Sequence, residues 1–386
     1  MVGLVLALVV IVGAIVYLNS TKVERAGSGA EDAVDIVPRE ETPSEPVSIE
    51  QPAPVSPVPS PIDKSKKYDV AKEITTPDGF INTEGVPVTI QNLIGKKVVL
   101  IDFWTYSCIN CQRTTPYLND WYSKYKDQGL EIVGIHTPEF DFEKNYENVV
   151  DAVNRFGIKY PVVLDNDFST WGAYHNQYWP RKYLIDIDGY IVYDHIGEGG
   201  YEATEAKIQE LLKERKKILG ERGEVTGVIK KEDPNPVPRA LSPEIYFGAT
   251  RNEYLANGKR GSLGTQVLND PGTYELNSLY LAGSWNIQNE YAENSVGSAK
   301  IFFTYKANNV FFVASTENSD GIRIKVLVDG KPLDSSMRGE DVSADGTVTI
   351  KADGLYRLIK NSGSGEHKLE LQIEKAGLKA FTFTFG

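Results

Sequence analysis

Apolar and polar residues along this chain follow two rhythms that change near residue 240. In the first half, continuous apolar runs at 97–104, 131–135 and 161–164 read as strands buried on both faces, and the stretches 112–125 and 142–156 between them read as helices. Two more strands, 183–185 and 191–193, are joined by Asp188-Gly189, which is a hairpin turn. A short hairpin is expected over 79–90, and 202–219 is a charged amphipathic helix with Ile208, Leu211 and Leu212 facing inward. Beyond residue 244 the pattern shortens to alternating runs at 300–305, 310–313, 322–328 and 368–373, set off by Gly, Asn and Asp, with Asp329-Gly330 as a strong turn. The first rhythm predicts an α/β domain over 68–220. The second predicts an all-β antiparallel sandwich over 244–386.

Three segments fall outside both patterns. Residues 1–18 are uninterruptedly apolar and close to the length that crosses a hydrocarbon core, so they are expected to insert in a membrane as an anchor or a signal. Residues 19–67 carry eight prolines between 38 and 61 and too little apolar surface to fold, which predicts a disordered stalk. At about 3 Å per residue such a stalk reaches on the order of 100 Å. Residues 221–243, charged and then punctuated by Pro234, Pro236 and Pro238, read as a linker separating two cores. A net charge of −12 with no basic stripe excludes nucleic acid as a partner.

The chemistry is concentrated in two residues. The only cysteines, Cys108 and Cys111, lie three apart just after the first apolar run and just before a helix. That places Cys108 at a helix start, where unpaired N–H groups and the dipole favour a thiolate. Cys108 would then attack a substrate disulfide, and Cys111, further into the helix, would resolve the mixed disulfide. A metal site is disfavoured, since one such pair supplies two of four ligands and no second cluster exists. A structural bridge over so short a loop constrains little. The redox group is therefore the Cys108–Cys111 pair itself, with no added cofactor.

Other residues have two readings each. Asp102 is a carboxyl inside an apolar strand, where burial raises its pKa and suits it to exchange a proton with Cys111; it also reads as a backbone cap. Glu139, just past the strand ending at His136, reads as a second proton carrier or as an ordinary loop carboxylate. Trp104 and Trp179 read as walls of a groove around the disulfide or as core packing. In the β domain Tyr280, Trp285 and Tyr291 are candidates for an aromatic platform that would bind a glycan, against a docking or orienting role for the domain.

Residues 99–116 resemble the active-site segment of thioredoxins, and more closely that of extracytoplasmic thioredoxin-like proteins of the TlpA, ResA and DipZ kind. Asp102, Trp104, Cys108, Cys111 and Pro116 fall at the family's positions, and Trp179-Pro180 resembles the family's cis-proline segment, which would face the cysteines. The stretches 136–140, 160–165 and 178–186 are similar to the C-terminal part of DipZ-type proteins, and the likeness extends over 68–386, where the second domain resembles a carbohydrate-module-like jelly roll. The helix at 142–156 corresponds to an insertion of the TlpA-like branch. Two positions depart from the pattern: Ser107 stands where thioredoxin has a second tryptophan, and Thr114 where ResA-type reductases have a glutamate. The resemblance implies a membrane-anchored, extracytoplasmic thiol-disulfide oxidoreductase. It would reduce protein disulfides with electrons from a membrane thiol donor of the CcdA/DsbD type. The other reading is a cell-envelope glycan- or protein-binding protein with a redox-sensing cysteine pair.

Overall fold

The structure, a computed structural model, describes residues 63–231, 240–363 and 365–386. The expected membrane span 1–18 and all but the end of the expected stalk lie outside them. Among the described residues no helix is long and apolar enough to cross a membrane.

The first domain is a six-stranded sheet flanked by helices. Its elements are β1 (Gly79–Ile81), α1 (Ile90–Leu93), β2 (Val98–Trp104), α2 (Ile109–Tyr125), β3 (Leu130–His136), α3 (Tyr146–Arg155), β4 (Val162–Leu164), α4 (Ser169–Ala173), β5 (Arg181–Ile185), β6 (Ile191–Ile196) and α5 (Tyr201–Leu219). The strand order is β1-β4-β3-β2-β5-β6, with β2, β3 and β4 parallel and the others antiparallel to their neighbours. All seven residues of β2 are buried, because helices cover both faces of a parallel centre. Val98, Leu100 and Trp104 enter the core that also holds Cys111, and Val99, Ile101 and Phe103 enter the opposite one. Asp102 belongs by alternation to the first set, so the strand carries a carboxyl into the apolar layer below the cysteine helix.

Several boundaries differ from the sequence expectation. The segment 79–90 is not a hairpin: β1 pairs with β4, and Thr89 caps α1 with its hydroxyl while Glu73 accepts from the amides of Ile90 and Gln91. The helix expected over 142–156 breaks at Asn145, whose extended backbone and side-chain oxygen cap α3 after a separate 3-10 turn at Asp141–Lys144. The short α4 was unexpected and depends on a tertiary contact, the Asp165 carboxylate accepting from the amides of Thr170 and Trp171. Order also begins earlier than residue 68. Lys64 is buried and reaches Asp186, Asp188 and Glu214 at 2.6, 2.8 and 2.8 Å, so a basic residue of the expected stalk is the counter-ion of an acidic cluster in the domain. Residues 221–231 are no free tether: the amide of Lys230 donates to Glu205 at 2.9 Å, and Gln128 exchanges hydrogen bonds with Thr226.

The second domain is all-β and antiparallel. It comprises β7 (Ile245–Tyr246), β8 (Gly264–Leu268), β9 (Leu279–Ile287), β10 (Ala292–Asn294), β11 (Lys300–Tyr305), β12 (Val310–Thr316), β13 (Ile322–Val328), β14 (Lys331–Pro332), β15 (Thr347–Ile350), β16 (Gly354–Ile359), β17 (His367–Ile373) and β18 (Leu378–Phe385). These form one twelve-stranded sheet that doubles over at β9. Residues 279–282 of that strand pair with β11, and 283–287 pair with β8 and β10. The change occurs at Gly283, whose φ of +103° suits glycine and whose Cβ would stand 3.3 Å from Ala299. The two halves enclose a single large core.

The expected glycan platform does not survive this geometry. Trp285 is fully buried in that core and donates its indole N–H to the carbonyl of Ala282 at 3.1 Å. Tyr280 is 7% exposed and packs edge-on against Tyr274. Tyr291 rests on Phe381. Tyr280 and Trp285, five residues apart on β9, fall on opposite faces by alternation, so the three rings cannot line one surface.

The domains meet through a small apolar cluster. Phe140 and Phe142, just after β3, pack on Phe381 of β18 at 5.0 and 4.9 Å between ring centres, with Val313, Tyr246, Tyr291 and Leu355 around them. On the other side of the cysteines, Arg357 of β16 donates to Gln112 of α2 and the Arg113 guanidinium lies over Phe311.

Candidate active site

Strand β2 ends at Trp104, and the turn that follows delivers Cys108 to the cap position of α2. Its Sγ accepts the amide N–H of Cys111 at 3.2 Å, making the sulfur the N-cap of the helix. Cys108 is half-buried and Cys111 buried, and the two are unbridged. The turn is fixed from below by Glu143, a fully buried carboxylate. It accepts from the Ser107 amide and hydroxyl at 3.2 and 2.6 Å and from the amides of Glu139 and Phe140 at 2.6 and 3.0 Å. Burial raises its pKa while the bonds from Ser107 hold it down.

Inside the core lies the proton chemistry. Burial pushes the Asp102 carboxyl up to about 7, and Lys182 on β5 moderates the rise. Lys182 stands opposite Asp102 in the strand register, is fully buried, and donates to the carbonyl of Gly197 at 3.1 Å. Burial in turn lowers the Lys182 pKa, against the pull of Asp102 and Cys111. The buried Cys111 thiol is pushed well up by the same desolvation, so it keeps its proton until a base takes it. Among the described residues Asp102 Oδ1 has no hydrogen-bond partner, and an unsatisfied buried acceptor electrostatically coupled to the Cys111 thiol is suited to take that proton.

Cys108 opens into a cleft of about 260 Å³ between the two domains. Trp179 lines it with Gln177 and Tyr178, while the Trp179–Pro180 bond is cis and Pro180 itself is buried. The Trp179 indole donates to the carbonyl of Thr137 at 3.0 Å. Trp104 does not share this wall: it is 2% exposed and packs edge-on against His136. Thr114, in place of a glutamate, is buried against Tyr201 at 3.2 Å. Glu139 faces the cleft and is bound from across it by Arg251 Nη1 at 2.8 Å and the Tyr246 hydroxyl at 2.9 Å.

The structure thus brings Cys108, Cys111, Asp102, Glu139 and Trp179 to one place, leaves Tyr280 and Trp285 elsewhere, and puts Tyr291 in the apolar junction rather than in the cleft lining. Sequence reasoning missed Lys182, Glu143, Tyr246 and Arg251. A signal existed for Lys182, which alternates with buried Leu184 and so shares its face. None existed for Tyr246 and Arg251, which lie more than 100 residues from Glu139 along the chain.

A family model described as Redoxin matches residues 67–212, and one described as thioredoxin-like C-terminal domain matches 242–386. The thiol-disulfide oxidoreductase ResA of Bacillus anthracis is 36% identical over 148 residues, which is 38% of this chain and 80% of that protein. The chain belongs to the ResA family of thioredoxin-like thiol-disulfide oxidoreductases. A larger share is similar to Protein DipZ of Mycobacterium tuberculosis, 35% identical over 319 residues, 81% of this chain and 43% of that protein. The chain therefore spans less than half the length of DipZ. Among solved structures, a thioredoxin-like protein in its oxidized form is 28% identical, covering 38% of this chain and 97% of its own, with a TM-score of 0.35. In this ResA-family chain the helix-capping cysteine has a second domain facing it across the cleft.

Proposed function

We propose that this chain is a disulfide reductase held outside the cytoplasm by residues 1–18, acting through Cys108-Ile109-Asn110-Cys111 on cysteine disulfides of proteins. One observation carries the reading: a half-exposed sulfur capping a helix, with a buried thiol behind it and a carboxyl raised to about 7 in the same core. Cys108 attacks, the substrate S–S bond breaks, and a mixed disulfide forms. Cys111 then gives its proton to Asp102 and displaces the second substrate sulfur, leaving the Cys108–Cys111 disulfide. A membrane dithiol donor of the CcdA/DsbD kind would return two electrons. The charge around the cleft supports the reducing direction. Its arginine is committed to Glu139, so beyond the helix start no cation of the cleft lining is left to stabilise a Cys108 thiolate and make the pair a strong oxidant.

The test is a trap. Cys111→Ser is expected to accumulate a covalent adduct with a disulfide-bonded peptide, seen by mass spectrometry as one substrate half on Cys108. Cys108→Ser is expected to form none. An adduct on Cys111 in the Cys108→Ser protein, or none in either, would refute the assigned roles. A sensor, in contrast, would form the internal disulfide without catalysing turnover.

A further inference from the structure

The cleft takes a disulfide but has little room for the chain that carries it. At about 260 Å³ it lies below the range of about 300–1,000 Å³ that encloses a drug-sized ligand. The segments flanking a substrate cysteine therefore run out over neighbouring surface. On the second-domain side the lining is mostly polar, with Glu244, Arg251, Thr382 and Thr384. On the first-domain side it includes Tyr178, 47% exposed, and the half-buried Trp179. From Trp179 an aromatic run continues beyond the cleft lining. Trp171 lies 4.2 Å from Trp179 between ring centres, and Phe168 meets Trp171 edge-on at 6.1 Å. Phe103 of β2 supports Trp171 from the core at 5.8 Å, and the Thr137 carbonyl fixes the Trp179 indole, so both rings are held in place. Phe168 is the anomaly. Its φ is +61°, in the left-handed region where glycine or asparagine sits more easily than a residue with a large ring. Its amide donates to the carbonyl of Asp165 at 3.1 Å and its carbonyl accepts from the Gly172 amide at 2.8 Å, which fixes that conformation. The ring gains little burial in exchange, since the residue is 38% exposed.

We propose that Phe168, Trp171 and Tyr178 dock an apolar segment adjoining the substrate's disulfide, so that this chain selects disulfides carried by unfolded or loosely folded polypeptides. The inference rests on the thiol-exchange reading above and names the substrate class of that site. Two observations meet in it. The run of rings begins in the lining that Cys108 shares, so a chain entering the cleft passes directly onto it. Its far end is an exposed phenyl ring kept in an unfavourable backbone conformation, a feature that belongs to binding surfaces more than to packing. A folded protein keeps its apolar segments inside and offers them to no such surface. An unfolded one exposes them beside its cysteines. Phe168 is then a specificity-determining residue, acting on the flank of the substrate and not on the reacting sulfurs.

The experiment compares two peptides on the full chain. The reduced protein is reacted with peptides of equal length, each closed by one disulfide, one with a Phe-Leu pair beside its cysteine and the other with Ser-Gly. The parent is expected to prefer the apolar peptide at least about tenfold at low concentration, the order of effect that burying one apolar side chain gives. Phe168→Asn is expected to cut that preference at least about threefold, through the half-saturating concentration and not the limiting rate. Its thermal midpoint is expected to equal or exceed the parent's, because asparagine relaxes the left-handed backbone. Tyr178→Ser is expected to move the preference the same way. Equal rates for the two peptides in the parent, or a preference that both variants leave intact, would overturn the docking surface. So would a lost preference accompanied by a lower midpoint in Phe168→Asn, which would make the ring a packing residue. A parent dimer that Phe168→Asn separates, with the preference unmoved, would assign the patch to a second copy of the chain. If Cys108→Ser reacts with both peptides at the parent rate, the thiol-exchange reading itself is wrong, a result distinct from all of these.

Discussion

Asp102 gives the site a pH dependence whose sign is fixed by its surroundings. Its carboxyl titrates at about 7 in the folded chain and at about 3.9 when unfolded. Between those values the folded state holds the extra proton, so this contribution to stability is full below about pH 4 and is lost as pH rises through about 7. His136 opposes it. Burial lowers that imidazole to about 3, so as pH falls from about 6.5 the unfolded chain gains a proton that the folded one refuses, and stability drops. Asp102→Asn removes only the first effect. Its urea unfolding free energy is expected to exceed the parent's above pH 7 by a few kcal/mol, since each pH unit between the two titration points is worth about 1.4 kcal/mol, with the gap closing toward pH 4. A gap that stays constant with pH would contradict the buried ionisable carboxyl. Asp102 could be singled out because it is a carboxyl inside an apolar strand and falls at the family's aspartate position. Glu143 was not, because an acidic residue among acidic neighbours reads as solvated, and only the fold shows four donors converging on it.

The short elements near the site, α1, α4 and the 3-10 turn at Asp141–Lys144, take their boundaries from side-chain acceptors more than from periodicity. This explains which were legible. The long β2 and the inward face of α5 could be read, since burial on a regular period leaves a regular pattern. The break at Asn145 and the helices α1 and α4 could not, because their caps come from Glu73, Asp165 and Asn145, and the first of these acts from 17 residues away. The 3-10 turn at Asp141–Lys144 and the turn before Cys108 share one anchor in Glu143. Glu143→Ala leaves those amides buried and unpaired, so it is expected to destabilise the domain by about 2–4 kcal/mol and to speed alkylation of Cys108 as its turn loosens. Urea denaturation and the rate of iodoacetamide labelling check both. Unchanged values would show that the carboxylate is not what holds the turn.

At the scale of the whole molecule, an α/β fold followed by an all-β fold could be read from the sequence, but their closing together on the thiol left no trace in it. The change of rhythm near residue 240 marks two cores, and nothing in it marks Phe381 or Arg251 as facing the first domain. Phe381 points away from the β core and into the junction with Phe140 and Phe142. Phe381→Ala is expected to cost about 3 kcal/mol and to make the thermal unfolding of the two domains separate into two transitions. A single transition at the parent's midpoint would show the junction to be incidental. Cys108 and Cys111 are expected to work as a reducing pair in this junction, and their reduction potential tests that most directly. Equilibrated against glutathione or dithiothreitol, the full chain is expected to fall near the thioredoxin end of the scale, about −270 mV. A value near the DsbA end, about −120 mV, would make the pair an oxidant and contradict the reductase role.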